Sequence, residues 1–301
     1  LFTYHHPMKK FIGIFFMSLL TSAAFAQQKD YNLIVGTYTA PGKSEGIYTY
    51  SFNTANASVA LKKITRGTAN PSYLAISPDK KFVYAVNETG NTSTVSAFKY
   101  DAKTGGLTFL NKVDSHGADP CFITVDAHNV IVANYSGGSL AVFSRKADES
   151  LSEAIQVIKH TGKSIDPNGR QESAHVHMTK FTPDHKHLVV NDLGEDKTYI
   201  YSYNPNGKDK SLTQKSVVKT NAGAGPRHIT FSPNGKFAYL AHEFNGKISV
   251  FSYQNGNLSM IEEVETAPKD FKGKIDAADI HVSADGKFLY ASNRGTSNTI
   301  A

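Results

Sequence analysis

A short stretch of the chain, AGPRHITFSPNGKFAYLAHE from Ala224 to Glu243, carries an arginine near its start and a carboxylate at its close. With Asn234-Gly235 as the turn of an antiparallel hairpin, the two strands zip outward until Arg227 and Glu243 lie opposite each other at the open end. A guanidinium oriented by a carboxylate presents forked N–H donors to a carbonyl oxygen, a carboxylate or a phosphate. Upstream, His175 and His177 stand two apart in one strand and so share a side. Imidazole is the side chain best suited to move a proton near neutral pH. His175, His177 and Glu243 could also supply three ligands to a metal ion, but Arg227 beside the carboxylate argues against it.

The elements that must position these residues form a repeat. Pro71–Asn87, Pro120–Asn134, Ala174–Asn191, Pro226–His242 and Ala277–Asn293 each read as two short strands around a tight turn, recurring at roughly 50-residue intervals. A third alternating strand follows in each unit (Thr94–Tyr100, Ser139–Ser144, Thr198–Tyr203, Lys247–Tyr253), and then a fourth such as Leu107–Val113 or Leu258–Val264. Four antiparallel strands at this period are the mark of an all-β fold, the β-propeller, whose blades stack around a central channel. The first unit offers three strands (Asn32–Thr37, Gly46–Phe52, Ala60–Thr65) with no innermost strand before them, and the sixth stops at Thr299-Ile300-Ala301 within its third strand. The chain therefore reads as truncated in the sixth unit.

Alignment on the residue before each turn (Ser77, Asp126, Thr182, Ser232, Ser283) places Ser72, Cys121, His177, Arg227 and Ala278 at one equivalent position. The outgoing ends align as Glu88, Tyr135, Leu193, Glu243 and Arg294, preceded by Asn87, Asn134, Asp192, His242 and Asn293. In a propeller all of these ring one mouth of the channel, which thus collects two arginines, two glutamates, a histidine and a tyrosine. Asp79, Asp184, Asn234 and Asp285 are read as turn formers. Cys121 reads as a packing residue, His128, His185 and His187 as surface residues, and Asp192 and Asp196 as braces for the loop after His177.

Three separate motifs resemble one family, the 6-phosphogluconolactonase-type lactonases, with the fungal carboxymuconate lactonizing enzymes as distant relatives. They are Gly223-Ala-Gly-Pro-Arg-His ending in His-Glu243, His175-Val-His177 followed by Asp192-Leu-Gly-Glu-Asp196, and Ala278-Asp-Ile-His281 ending in Asn-Arg294. The resemblance runs from about Tyr31 to the end and implies seven four-stranded blades in the complete protein. It also implies a catalytic set of His177, Arg227, Glu243 and Arg294. Around that set His175, Tyr135, Glu88, Asp192, His228 and His281 are read as further substrate contacts, with hydrogen-bonded structural histidines as the other reading of His228 and His281. No cofactor and no metal are expected.

Hydrolysis suits the residues. Water attacking a lactone carbonyl must lose a proton, and the oxyanion that develops must be stabilised. His177 fits the base, Arg227 and Arg294 fit the oxygen or an anionic group, and Glu243 fits an orienting role. The competing readings are a lactonizing lyase or cycloisomerase of the same fold, a metal-dependent hydrolase, or a non-catalytic binding propeller.

With 301 residues, 40% of them apolar, the chain has enough material for a sizeable core, and one cysteine excludes an internal disulfide. The net charge of +6 comes from lysines scattered among acids, which disfavours a nucleic-acid partner. A small sugar lactone is the expected partner, and the protein is expected to be a monomer. Lys9-Lys10, the apolar Phe11–Leu20 and Ala24-Phe25-Ala26 read as a signal peptide spanning Met8–Ala26, too short in its apolar part to cross a bilayer as a helix. Residues 1–7 then lie ahead of the coding start, and 27–301 form a propeller exported to the periplasm or the medium, free of the membrane once the signal is removed.

Overall fold

The computed structural model describes residues 30–165 and 169–301. The signal-peptide and leader readings fall on residues 1–26 and lie outside the described residues. The strands run in chain order as β1 (Asp30–Val35), β2 (Gly46–Asn53) and β3 (Val59–Arg66), then β4 (Leu74–Ile76), β5 (Phe82–Asn87), β6 (Thr94–Asp101) and β7 (Gly106–Asp114). The third blade holds β8 (Pro120–Val125), β9 (Asn129–Asn134), β10 (Ser139–Arg145) and β11 (Leu151–Lys159). The fourth holds β12 (Val176–Phe181), β13 (His187–Asp192), β14 (Lys197–Tyr203) and β15 (Leu212–Lys219). Next come β16 (Pro226–Phe231), β17 (Phe237–His242), β18 (Lys247–Gln254) and β19 (Asn257–Glu265), and finally β20 (Ala277–Val282), β21 (Leu289–Asn293) and β22 (Thr299–Ile300).

Each group pairs as one antiparallel meander. Among the described residues there are six sheets, four with four strands and the first and last with three. The seven four-stranded blades implied by the resemblance are thus not all present here. The three strands of the first sheet are those read for the first unit of the sequence.

The second strands read as near-continuous apolar runs because both of their faces are covered by neighbouring blades. Val130–Ala133 and Leu188–Val190 are fully buried in this way. One core cluster spans the third to fifth blades, from Phe122 and Leu140 through Leu188 and Tyr201 to Leu240 and Phe251. A second joins the second and third blades through Tyr84, Val95, Ile123 and Phe143. The outermost strands are mostly exposed, as Val59–Arg66 and Asn257–Glu265 are.

Four of the five turns between first and second strands use one device. Ser77, Thr182, Ser232 and Ser283 each donate their hydroxyl to Oδ1 of the Asp or Asn two residues on, at 2.6, 2.6, 2.7 and 2.6 Å. The same oxygen accepts the backbone N–H of Lys81, Lys186, Lys236 and Lys287. These are the side-chain turns that Asp and Asn favour. His187 departs from its surface reading: it is buried, with its ring near the Tyr253 hydroxyl and the Lys215 ammonium.

Candidate active site

In every repeat one backbone hydrogen bond ties the outgoing residue of the sequence alignment to the carbonyl two residues before the incoming one. Glu88, Tyr135, Leu193, Glu243 and Arg294 donate their N–H to the carbonyls of Asn70, Asp119, His175, Gly225 and Asp276. Two residues past the last four of these carbonyls the innermost strand bulges. The register slips by one residue between Pro120 and Phe122, Val176 and Met178, and Pro226 and His228, and again between Ala277 and Ile280. The extra residues of the first three are Cys121, His177 and Arg227. A bulge bends the strand and re-aims its side chain, so the repeat itself directs these groups into the mouth. Arg227 is therefore not a ladder partner of Glu243, since Pro226 faces His242 across the hairpin.

The residue whose carbonyl accepts this bond is left-handed in four repeats: Asn70, Asp119, Gly225 and Asp276 have φ of 40°, 52°, 68° and 46°. Gly225 is required on a second ground, because a Cβ there would sit 2.6 Å from the Phe244 ring. Asp196 fixes this loop by accepting the Gly223 and Gly225 amides at 2.6 and 2.7 Å. That explains why the glycine-rich run and the Asp192–Asp196 segment occur together.

Glu243 is the hub of the mouth. Its side chain is 2% exposed and meets three guanidinium groups: Arg227 Nε at 2.9 Å, Arg170 Nη1 at 2.5 Å and Arg294 Nη2 at 3.1 Å. A buried carboxylate needs such partners. Arg227 is the most enclosed of the three, 13% exposed against 40% and 49% for Arg170 and Arg294. Its Nη1 also donates to the Ala278 carbonyl at 2.8 Å and lies 3.4 Å from His228 Nε2.

Beside this cluster, His177 and His175 both pack on Tyr135, His177 edge-on at 5.5 Å and His175 stacked at 4.5 Å between ring centres. Burial pushes the His177 imidazole well below its ordinary pKa, and the charges of Arg227 and His228 act the same way. It is neutral at pH 7 with a lone pair to offer. The Cys121 thiol lies 3.8 Å from its Nδ1 and burial pushes the thiol up to about 12, so it stays protonated. His175 is occupied differently, with Nδ1 at 3.1 Å from the Tyr135 carbonyl and Nε2 at 3.1 Å from Glu172.

The other residues expected at the mouth are distributed unevenly. Tyr135 accepts Arg170 Nε and Nη2 at its hydroxyl, at 3.0 and 2.7 Å. Glu88 is half-buried and accepts the Tyr38 hydroxyl at 2.6 Å. Asp192 points away: it is fully buried, bonds His160 Nδ1 at 2.7 Å and caps the backbone amides of His175 and Glu195. The residues one before the outgoing end all turn inward between strands in this way, as Asn87, Asn134, His242 and Asn293 do. Adjacent residues of a strand face opposite sides, which is the reason. His228 is buried and His281 is largely exposed, and both bond Asp279, at 2.8 Å from Nδ1 and 2.9 Å from Nε2 respectively.

Sequence reasoning missed Arg170, Tyr38 and Asp279. Arg170 lies in the loop between β11 and β12, outside the repeat, and only its closeness to the Glu172–His177 segment could have drawn notice. Donor atoms of His160, Asp192 and Glu195 lie within 4.8 Å of one another. They are already partnered by Tyr201, Tyr199, Lys197 and the Gly162 amide. A cavity of about 700 Å³ beside Tyr31, Lys62, Ile76 and Tyr100 contains none of the mouth residues.

Blades whose rim gathers a buried glutamate, three arginines and a neutral histidine define a β-propeller with a polar, positively charged cluster at one end. The chain belongs to the lactonase family of seven-bladed β-propellers, whose model matches residues 32–301. It is 37% identical over 265 residues to a 6-phosphogluconolactonase of Bacillus subtilis, covering 87% of this chain and 74% of the relative. A 6-phosphogluconolactonase of Formosa agariphila is 33% identical over 268 residues, covering 87% and 75%. Among solved structures, the periplasmic gluconolactonase of Pseudomonas aeruginosa superposes with a TM-score of 0.85 at 36% identity, covering 90% of this chain and 78% of that one.

Proposed function

We propose that this protein hydrolyses a sugar-acid lactone of the 6-phosphogluconolactone type at the mouth formed by His177, Arg227, Glu243 and Arg294. The observation that carries the reading is the neutral, buried His177 next to an arginine cluster organised by one buried carboxylate. Water attacks the carbonyl carbon as His177 takes its proton, and Arg227 with Arg294 hold the oxyanion that forms. The ring C–O bond then breaks, His177 returns the proton to the leaving alkoxide, and the product hydroxy acid releases its carboxyl proton to solvent. Glu243 orients the guanidinium groups. Arg170, anchored on the Tyr135 hydroxyl, adds a cation for an anionic substituent. The names of the relatives from Bacillus, Formosa and Pseudomonas support this substrate class.

The test is proton release by the purified protein with gluconolactone, its 6-phosphate and lactones lacking hydroxyl groups, each corrected for spontaneous opening. Turnover of the sugar lactones above background is expected, and its absence for all of them would end the reading. Export remains part of the proposal on the strength of Met8–Ala26, and a mature protein beginning elsewhere than Gln27 would remove it.

A further inference from the structure

The catalytic set leaves unexplained a chain of polar side chains running from Arg227 to the surface through His228, Asp279 and His281. Asp279 accepts from His228 Nδ1 through Oδ1 at 2.8 Å and from His281 Nε2 through Oδ2 at 2.9 Å. Burial raises the Asp279 carboxyl, but the hydrogen bonds from the two histidines prevail and hold it below the usual range. It is therefore a carboxylate, an acceptor only. His228 Nδ1 must then carry the hydrogen, and Nε2 is left with its lone pair facing Arg227 Nη1 at 3.4 Å.

We propose that Asp279 is a positioning residue that fixes the tautomer of His228, so that His228 Nε2 helps hold the Arg227 guanidinium in its working orientation. The geometry gives Arg227 three directed acceptors: Glu243 Oε2 on Nε, and the Ala278 carbonyl and His228 Nε2 on Nη1. Among the described residues no hydrogen bond is made by Nη2, which leaves that end of the fork for a substrate oxygen. The His228 ring is confined by Phe122, His177 and Tyr73, at 5.2, 5.2 and 6.4 Å between ring centres. It cannot answer a change at Asp279 by turning aside without displacing these rings. His281 is the solvent-facing end, 73% exposed, and holds the second carboxylate oxygen. An amide at position 279 can donate as well as accept. It admits the other tautomer, whose Nε2–H would oppose the Arg227 Nη1–H groups.

Two measurements decide the matter, and the second rests on the lactonase reading while the first does not. Nitrogen-15 NMR of the histidine-labelled protein at pH 7.5 should show His228 with hydrogen on Nδ1. Finding it on Nε2 in the unaltered protein would overturn the proposal whatever the substrate is. In kinetics, Asp279→Asn should lower kcat/KM about tenfold to a hundredfold, and Asp279→Glu should recover part of the loss. His228→Asn keeps a donor toward Asp279 but has no acceptor that reaches Arg227, so a loss of the same order is expected. It stands in if Asp279→Asn does not fold. Unchanged kcat/KM in a folded Asp279→Asn or His228→Asn variant would show the chain to be structural only. If the unaltered protein opens no lactone, the functional reading fails while the NMR result still stands for or against the tautomer.

Discussion

Replacing Arg227 with lysine separates charge from geometry at the mouth. The guanidinium spans Glu243 Oε2 at 2.9 Å through Nε and the Ala278 carbonyl at 2.8 Å through Nη1. A single ammonium on a flexible stem cannot satisfy both and still present a donor pair to the substrate. Losing one oriented donor to a developing oxyanion costs about 3 kcal/mol, which corresponds to roughly 150-fold in kcat/KM. Folding should suffer by no more than about 1 kcal/mol, since a cation remains near Glu243 and Arg170 and Arg294 still pair with it. The assay is continuous proton release with the best sugar lactone, beside thermal unfolding of the same sample. Glu243→Gln completes a cycle: if the carboxylate acts by orienting Arg227, the double variant should be hardly worse than Arg227→Lys, with a coupling above about 1 kcal/mol. Full activity in Arg227→Lys, or two effects that simply add, would refute the reasoning.

Two other outcomes follow from the structure. Burial holds the His242 imidazole down to about 4, so between that value and its ordinary 6.5 the unfolded chain binds more protons than the folded one. Stability should therefore fall as the pH drops through this window, by about 3 kcal/mol once it is crossed; urea unfolding at pH 5 and pH 7 should show a flatter dependence in His242→Gln, and an identical slope would contradict the assignment. Asp196→Asn would set an amide donor against the Gly223 or Gly225 N–H, at a cost of about 2 kcal/mol. The melting temperature should drop by about 4–8 °C, with lower kcat/KM because the loop leads directly to Arg227; no change in either would mean that Asp196 does not support the loop.

The repeat was legible in the chain because it depends on local chemistry. Pro-Asp and Asn-Gly turns, apolar second strands and alternating third strands recur with a period that only stacked blades explain, and the third and fourth strands whose bounds the pattern gave lie within one residue of them. The same alignment brought Ser72, Cys121, His177 and Arg227 into one series and Glu88, Tyr135 and Glu243 into another, and one backbone hydrogen bond per repeat ties the second series to the carbonyl two residues before the first. What the sequence left open was decided between blades. Arg170 reaches Glu243 from 73 residues away, and His228 meets Asp279 across 51. Whether Asp192 faces the mouth or His160 depends on strand parity at the rim, and the bulge at Arg227 itself sets how its side chain approaches Glu243. Such choices follow from the angle at which one sheet packs on the next and from which side chains already fill the space. No window of sequence shorter than two whole blades contains that information.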